Sequence, residues 1–161
     1  GTPALIRCMP NTPALIRCGA TALFANHNVT DVHKQMAENI FKAVGVTVWI
    51  NDQKQMDVVT ALSGSGPAYF FYLMEILQHA AEQLGLSKET AELLTKQTAL
   101  GAVRLAAESS HDLSLLRQQV TSPGGTTERA LQVLQQGKLS ELFTAAMKAA
   151  RDRAIELENK I

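Results

Sequence analysis

The 161-residue chain has no apolar run long enough to span a bilayer and no signal-peptide pattern. It has no excess charge of either sign: Lys and Arg together number 15, as do Asp and Glu. A neutral balance gives no reason to expect nucleic acid or an anionic membrane as a partner. Aromatics are only 5% of residues, so Leu, Ala and Met must fill any core. The two cysteines, Cys8 and Cys18, match no zinc spacing and are too few for a disulfide scaffold. A reducing, cytoplasmic setting is therefore expected. His27, His33, His79 and His111 share no metal-ligating spacing. They read as surface residues, and no metal site is expected. No G-x-G-x-x-G follows a strand anywhere in the chain. The turn that opens a dinucleotide-binding fold is thus missing from these residues.

What is present divides near residue 50. Residues 20–25 and 46–50 are rich in β-formers and bounded by Gly or Asn, which predicts two short strands. Between them Thr30 is placed to cap a helix carrying Val32, Met36, Ile40 and Val44, with Gly45 at its end. Strand–helix–strand is an α/β piece, too small to be a doubly wound sheet. From about residue 54 the pattern is helical throughout. Pro67 suits a helix start, where its missing N–H is harmless. Phe70, Leu73, Met74, Leu77, Ala81 and Leu84 follow on one face, with Gly85 as the stop. Ser87 caps the next helix, whose Ala91, Thr95, Ala99, Ala102 and Ala106 form a small-residue stripe that lets another helix approach closely. A short helix is expected over 113–119. Ser140 is placed to cap a last long helix with Leu142, Phe143, Ala146, Met147, Ala150, Leu157 and Ile161 facing inward. The run Arg151-Asp152-Arg153 reads as a solvated face. Helices this rich in apolar and small residues predict a core completed by dimerisation.

The heptapeptide Thr-Pro-Ala-Leu-Ile-Arg-Cys occurs at 2–8 and again at 12–18. One duplication is not a repeat-fold period. It reads as an accident of how the first residues were joined or assigned, and residues 1–5 are not expected to pack as 11–15 do.

The segment Val120-Thr121-Ser122-Pro123-Gly124-Gly125-Thr126-Thr127-Glu128 carries the most chemistry. Pro123 fixes its own φ, and the glycines admit backbone angles closed to other residues. A helical pattern follows through Ala130, Leu131, Val133 and Leu134 to a stop at Gly137. Free N–H groups at the positive end of a helix, beside several hydroxyls, suit a small carboxylate or phosphate. An ordinary Gly-rich helix start is the competing reading, and the loop alone leaves both open. Ser63 and Ser65 read as helix caps, since no His–Asp pair accompanies them. Gly64-Ser65-Gly66 before Pro67 reads as a helix start.

Three segments in this order and spacing resemble pyrroline-5-carboxylate reductases: Arg7-Cys8-Met9-Pro10-Asn11-Thr12-Pro13-Ala14-Leu15, Ala61-Leu62-Ser63-Gly64-Ser65-Gly66-Pro67-Ala68-Tyr69-Phe70, and Thr121-Ser122-Pro123-Gly124-Gly125-Thr126-Thr127. The resemblance covers residues 6 to 161. It implies a mainly α fold, in which a helical dimerisation domain of 6-phosphogluconate-dehydrogenase-like type (54–161) follows the end of a Rossmann domain (1–50). It implies reduction of 1-pyrroline-5-carboxylate to L-proline with NADP or NAD as cofactor. Homodimers are implied too, which family members often assemble into a ring of five. Because most of the cofactor domain is missing from these residues, this chain alone is expected to be inactive.

The resemblance also distributes roles. Ser122, Gly125, Thr126 and Thr127 would hold the substrate carboxylate, the last three through backbone N–H groups. The Thr127 hydroxyl would hydrogen-bond the ring nitrogen as the catalytic group. Val120 would press on the nicotinamide or substrate ring, or else is a core residue. Met9, Pro10 and Asn11 would lie at the carboxyl end of a strand, beside the nicotinamide; Asn11 either contacts it or anchors its own turn. Two other readings are a non-catalytic helical oligomerisation module and the helical domain of a 3-hydroxyacid dehydrogenase. The second needs a catalytic lysine, and Lys88 and Lys96 fall on a solvent-facing pattern.

Overall fold

A computed structural model describes residues 1–158; Ile161, expected on the inner face of the last helix, lies outside the described residues. The chain forms two compact units, one made of Gly1–Tyr69 with the segment from Thr144 on, the other of Phe70–Phe143.

The first unit is built on a three-stranded mixed sheet. Strands β1 (Ile6–Met9), β2 (Gly19–Ala25) and β3 (Gly45–Trp49) lie in sequence order. β2 and β3 run parallel and are joined by helix α1 (Asp31–Lys42), which is the expected strand–helix–strand with each strand starting one residue early. The Thr30 hydroxyl accepts the His33 N–H at the start of α1, as its position suggested. β1 pairs antiparallel to β2, with Ile6 opposite Ala25 and Met9 opposite Ala22. Sequence reading did not reveal that pairing.

The repeated heptapeptide takes two structures. In the first copy Thr2–Leu5 belongs to no helix or strand and Ile6–Cys8 belong to β1; in the second, Thr12–Ile16 is a 3-10 helix closed by Arg17 at φ 61°. The first copy is held by the turn after β2: Asn26 Nδ2 donates to Pro3 O at 2.8 Å and Asn28 Nδ2 to Thr2 O at 2.7 Å.

Helix α2 (Gln55–Val59) does not end before the serines. It passes through a π-helical turn, Thr60–Gly64, straight into α3 (Gly66–Gln83). The Ser65 N–H donates to Thr60 O at 2.9 Å, the wide spacing of that turn. Ser63 is therefore inside a helical turn rather than a cap, while α3 begins at Gly66 with Pro67 second, so Gly64-Ser65-Gly66 is the expected helix start, entered from the π-helical turn. The core of this unit is small: Thr21, Ala22 and Leu23 of β2 with Met56 and Ala61.

The second unit holds most of α3, then α4 (Lys88–Glu108), α5 (Leu113–Gln119) and α6 (Thr126–Gln136); α7 (Leu139–Glu158) begins in it. Ser87 caps α4 by accepting the Thr90 N–H at 3.2 Å, and α5 has the expected bounds. Two details differ from expectation. Gly137 follows α6 at φ −72°, and it is Lys138 that takes the left-handed φ of 55°. That turn lets α7 begin at Leu139, so Ser140 lies in its first turn rather than ahead of it.

Periodicity marked apolar faces that this chain does not cover; Leu142 and Leu157 of α7, expected to face inward, are exposed. Ala91 is the one buried apolar side chain of the second unit among the described residues. Phe70, Phe71, Leu77 and Leu84 of α3 and Leu93, Leu94 and Val103 of α4 are exposed. Val32, Met36 and Ile40 of α1 are exposed too. A stripe marks what an amphipathic helix must bury, not which surface will bury it. No helix among the described residues is long and apolar enough to cross a membrane.

Candidate functional site

The loop between α5 and α6 takes its shape from five residues, Thr121 to Gly125. The Thr121 hydroxyl donates to Arg117 O at 2.6 Å, fastening the end of α5. The chain then reverses over Ser122-Pro123-Gly124-Gly125, and the Gly125 N–H donates to Ser122 O at 2.9 Å. Pro123 at the second position and Gly124 at the third, with φ 70°, make a type II turn. That third position is left-handed, which costs an L-residue about 1–2 kcal/mol and glycine nothing. A Cβ on Gly125 would sit 2.9 Å from Ser122 O, so a side chain there would spread the turn.

Gly125 is also the N-cap of α6 and supplies no side-chain acceptor. The helical ladder starts with Arg129 N–H donating to Gly125 O at 3.2 Å. The N–H groups of Thr126, Thr127 and Glu128 therefore have no acceptor among the described residues, as at any uncapped helix start. The Gly125 N–H, expected to be a free donor, is committed to Ser122. Glu128, which sequence reasoning passed over, accepts the Gly124 N–H on its carboxylate at 2.8 Å. Its signal was legible: an acid at the third helical position is where a capping-box carboxylate reaches back. Val120, Ser122 and Thr126 are exposed and Thr127 is half-buried. The loop thus presents unpartnered first-turn N–H groups and two exposed hydroxyls, a donor set suited to a small anion.

The other group of expected residues lies in the first unit. Met9 ends β1, and Pro10 and Asn11 follow at its carboxyl end. The Asn11 side chain makes no cap bond to the 3-10 helix that follows it and bonds two other segments instead. Its Oδ1 accepts the Ala20 N–H at 2.9 Å, and its Nδ2 donates to Ser63 O and Ser63 Oγ at 3.2 Å each. The Met9 methyl packs against Gly64. The π-helical turn is thereby docked on the end of β1. Pro10 stays exposed and Met9 half-exposed. With the Asn11 amide engaged, this turn offers apolar surface and backbone rather than a free side-chain amide. That is a fit for the flat face of an aromatic ring.

The remaining candidates fall outside these two places. Lys96 pairs with Glu92 one turn back on α4, and Lys88 is exposed. All four histidines are exposed. Arg151 pairs with Asp152 and Arg153 with Glu156 on a half-exposed face of α7.

Comparison with known proteins adds the following. A family model described as pyrroline-5-carboxylate reductase dimerisation matches residues 53–157. The chain is 48% identical over 157 residues to a pyrroline-5-carboxylate reductase of Pseudomonas aeruginosa, covering 98% of this chain and 58% of that protein. Among solved structures, a pyrroline-5-carboxylate reductase from Coxiella burnetii superposes with a TM-score of 0.93 at 57% identity, over 96% of this chain and 57% of that one. The Plasmodium falciparum pyrroline carboxylate reductase, solved with NADP bound, superposes with a TM-score of 0.86 at 33% identity, over 93% of this chain and 60% of that one. The chain thus spans a little over half the length of these relatives.

Proposed function

The chain belongs to the pyrroline-5-carboxylate reductase family, and from that premise we propose that the protein reduces 1-pyrroline-5-carboxylate to L-proline with NADP or NAD as cofactor. The observation that carries this reading is the α5–α6 loop. Its type II turn delivers first-turn N–H groups and the Ser122 hydroxyl at the positive end of α6, where a carboxylate is stabilised.

The substrate is a cyclic imine bearing one carboxylate, and the reaction adds a hydride at carbon and a proton from solvent at nitrogen, leaving a basic ring amine. A bound nicotinamide supplies the hydride. The residues of this chain do the rest by position. The N–H groups of Thr126 and Thr127 and the Ser122 hydroxyl hold the carboxylate. Gly125 contributes shape, since a side chain there would block the approach. The Thr127 hydroxyl hydrogen-bonds the ring nitrogen, and at its ordinary acidity it orients or relays a proton rather than supplying one. The exposed Val120 side chain offers an apolar wall for a ring. Met9, Pro10 and the Asn11 backbone offer the apolar turn for the nicotinamide.

The division into a cofactor-domain remnant (1–50) and a helical dimerisation domain (54–161) belongs to the same proposal, supported by the span of the family match. So does the homodimer: the uncovered faces of α3 and α4 flank the Ala91–Ala106 stripe, and a second copy would cover them. A ring of five dimers is the larger assembly this reading allows. Exposed, unbonded Cys8 and Cys18 accord with a cytoplasmic location. The test is direct. The full-length protein, given 1-pyrroline-5-carboxylate and NADPH or NADH, should oxidise the cofactor and form L-proline in equal amounts. Failure to form proline with either cofactor overturns the proposal.

A further inference from the structure

Glu128 is the acidic residue in the first turn of α6, three residues into a helix whose free N–H groups attract anions. In a capping box a carboxylate at that position reaches back to the N-cap N–H of its own helix. The structure shows a different arrangement. The N-cap N–H of Gly125 is already taken by Ser122 O at 2.9 Å. Glu128 therefore reaches one residue further, to the Gly124 N–H at 2.8 Å. Two consecutive amides are satisfied inside the loop, and those of Thr126 and Thr127 are left over. The contact also holds Gly124 in its left-handed conformation, because the N–H is aimed at a charged acceptor rather than at water.

We propose that Glu128 is a positioning residue for the substrate carboxylate. It locks the Pro123–Gly124 corner by accepting the Gly124 N–H. The inference rests on the reading of this loop as the carboxylate site. It concerns the hydrogen bond, not the charge, and the two can be separated. Gln at this position keeps an oxygen that can accept the Gly124 N–H and loses the charge; Ala loses both. A carboxylate is unchanged in charge through the reaction, so a loosened loop weakens ground state and transition state alike. The effect must then appear in KM more than in kcat.

The experiment uses the full-length protein with 1-pyrroline-5-carboxylate as the varied substrate. Glu128→Ala should raise KM about tenfold or more, the scale of one charge-assisted hydrogen bond, and change kcat by no more than about twofold. Glu128→Gln should recover most of that loss. In the unaltered protein the Gly124 amide should exchange slowly with deuterated solvent. If Ser122→Ala raises KM and Glu128→Ala does not, the role of Glu128 is overturned while the carboxylate site stands. If neither raises KM, the carboxylate site has failed and takes this inference with it. If Gln behaves as Ala does, the charge at the helix end is what matters, and the positioning role is overturned. Should Glu128→Ala not fold, the Gln variant and the Gly124 exchange decide: fast exchange overturns the proposal, and slow exchange with a near-parental KM for Gln upholds it.

Discussion

The side-chain amide of Asn11 donates to both the carbonyl and the hydroxyl of Ser63, 52 residues away, at 3.2 Å each. With the Ala20 N–H on its other end, this one side chain joins the end of β1, the start of β2 and the π-helical turn.

Asn11→Ala should therefore cost about 2–4 kcal/mol of stability, through three lost hydrogen bonds and a part-buried Ala20 N–H left without its partner. Ser63→Ala keeps the carbonyl acceptor and should cost only about 0.5–1.5 kcal/mol. Urea unfolding of the two variants measures both. Equal losses would mean that the Ser63 hydroxyl carries the junction.

Gly45 faces Gly19 in the parallel pairing of β2 and β3. A Cβ on Gly45 would lie 1.9 Å from Gly19 O, at a φ of 156°. Neither strand can yield without breaking the ladder, so Gly45→Ala should cost more than about 3 kcal/mol. Thermal unfolding tests it, and a variant with parental Tm would show that the strands separate freely there.

In the full-length protein Thr127→Ala should slow imine reduction about 5- to 150-fold, one hydrogen bond of roughly 1–3 kcal/mol in the transition state, with cofactor affinity nearly intact. Ser122→Ala should act mainly on KM for the imine, because the group it contacts does not change charge. Gly125→Val should damage both by spreading the turn. Parental kcat and kcat/KM for Thr127→Ala would remove Thr127 from the chemistry and return the loop to an ordinary helix start.

The 161-residue chain should dimerise through α3 and α4, burying more than about 2,000 Å² in total. Phe71 is 63% exposed and Leu94 51%, more than a stable monomer would leave on neighbouring helices. Leu94→Lys should shift the assembly towards monomer in sedimentation. A well-folded, stable monomer of the unaltered chain at micromolar concentration would contradict the dimer.

Local features were legible in the residues. Thr30 and Ser87 cap the helices they were expected to cap, because an N-cap hydroxyl acts on an amide only three residues away. The Pro-Gly turn before α6 was legible for the same reason: its φ values belong to Pro123 and Gly124 themselves. The partners of Asn11 and the reach of Glu128 were not. Asn11 meets Ser63 only once the helix has folded back onto the sheet, and Glu128 is turned to Gly124 only because Ser122 has already claimed Gly125.

The repeated heptapeptide states the division most simply. Thr-Pro-Ala-Leu-Ile-Arg-Cys is identical at 2–8 and 12–18, so its propensities are identical, yet the first copy enters a strand and the second a 3-10 helix. The sequence by itself determined the family, the α/β start, the helical remainder, and which faces must be covered. Which copy pairs with β2 was decided only by the tertiary structure. A single strand gains its backbone hydrogen bonds from a neighbour that local sequence cannot supply, and Asn26 and Asn28 are in reach of the first copy through Pro3 and Thr2.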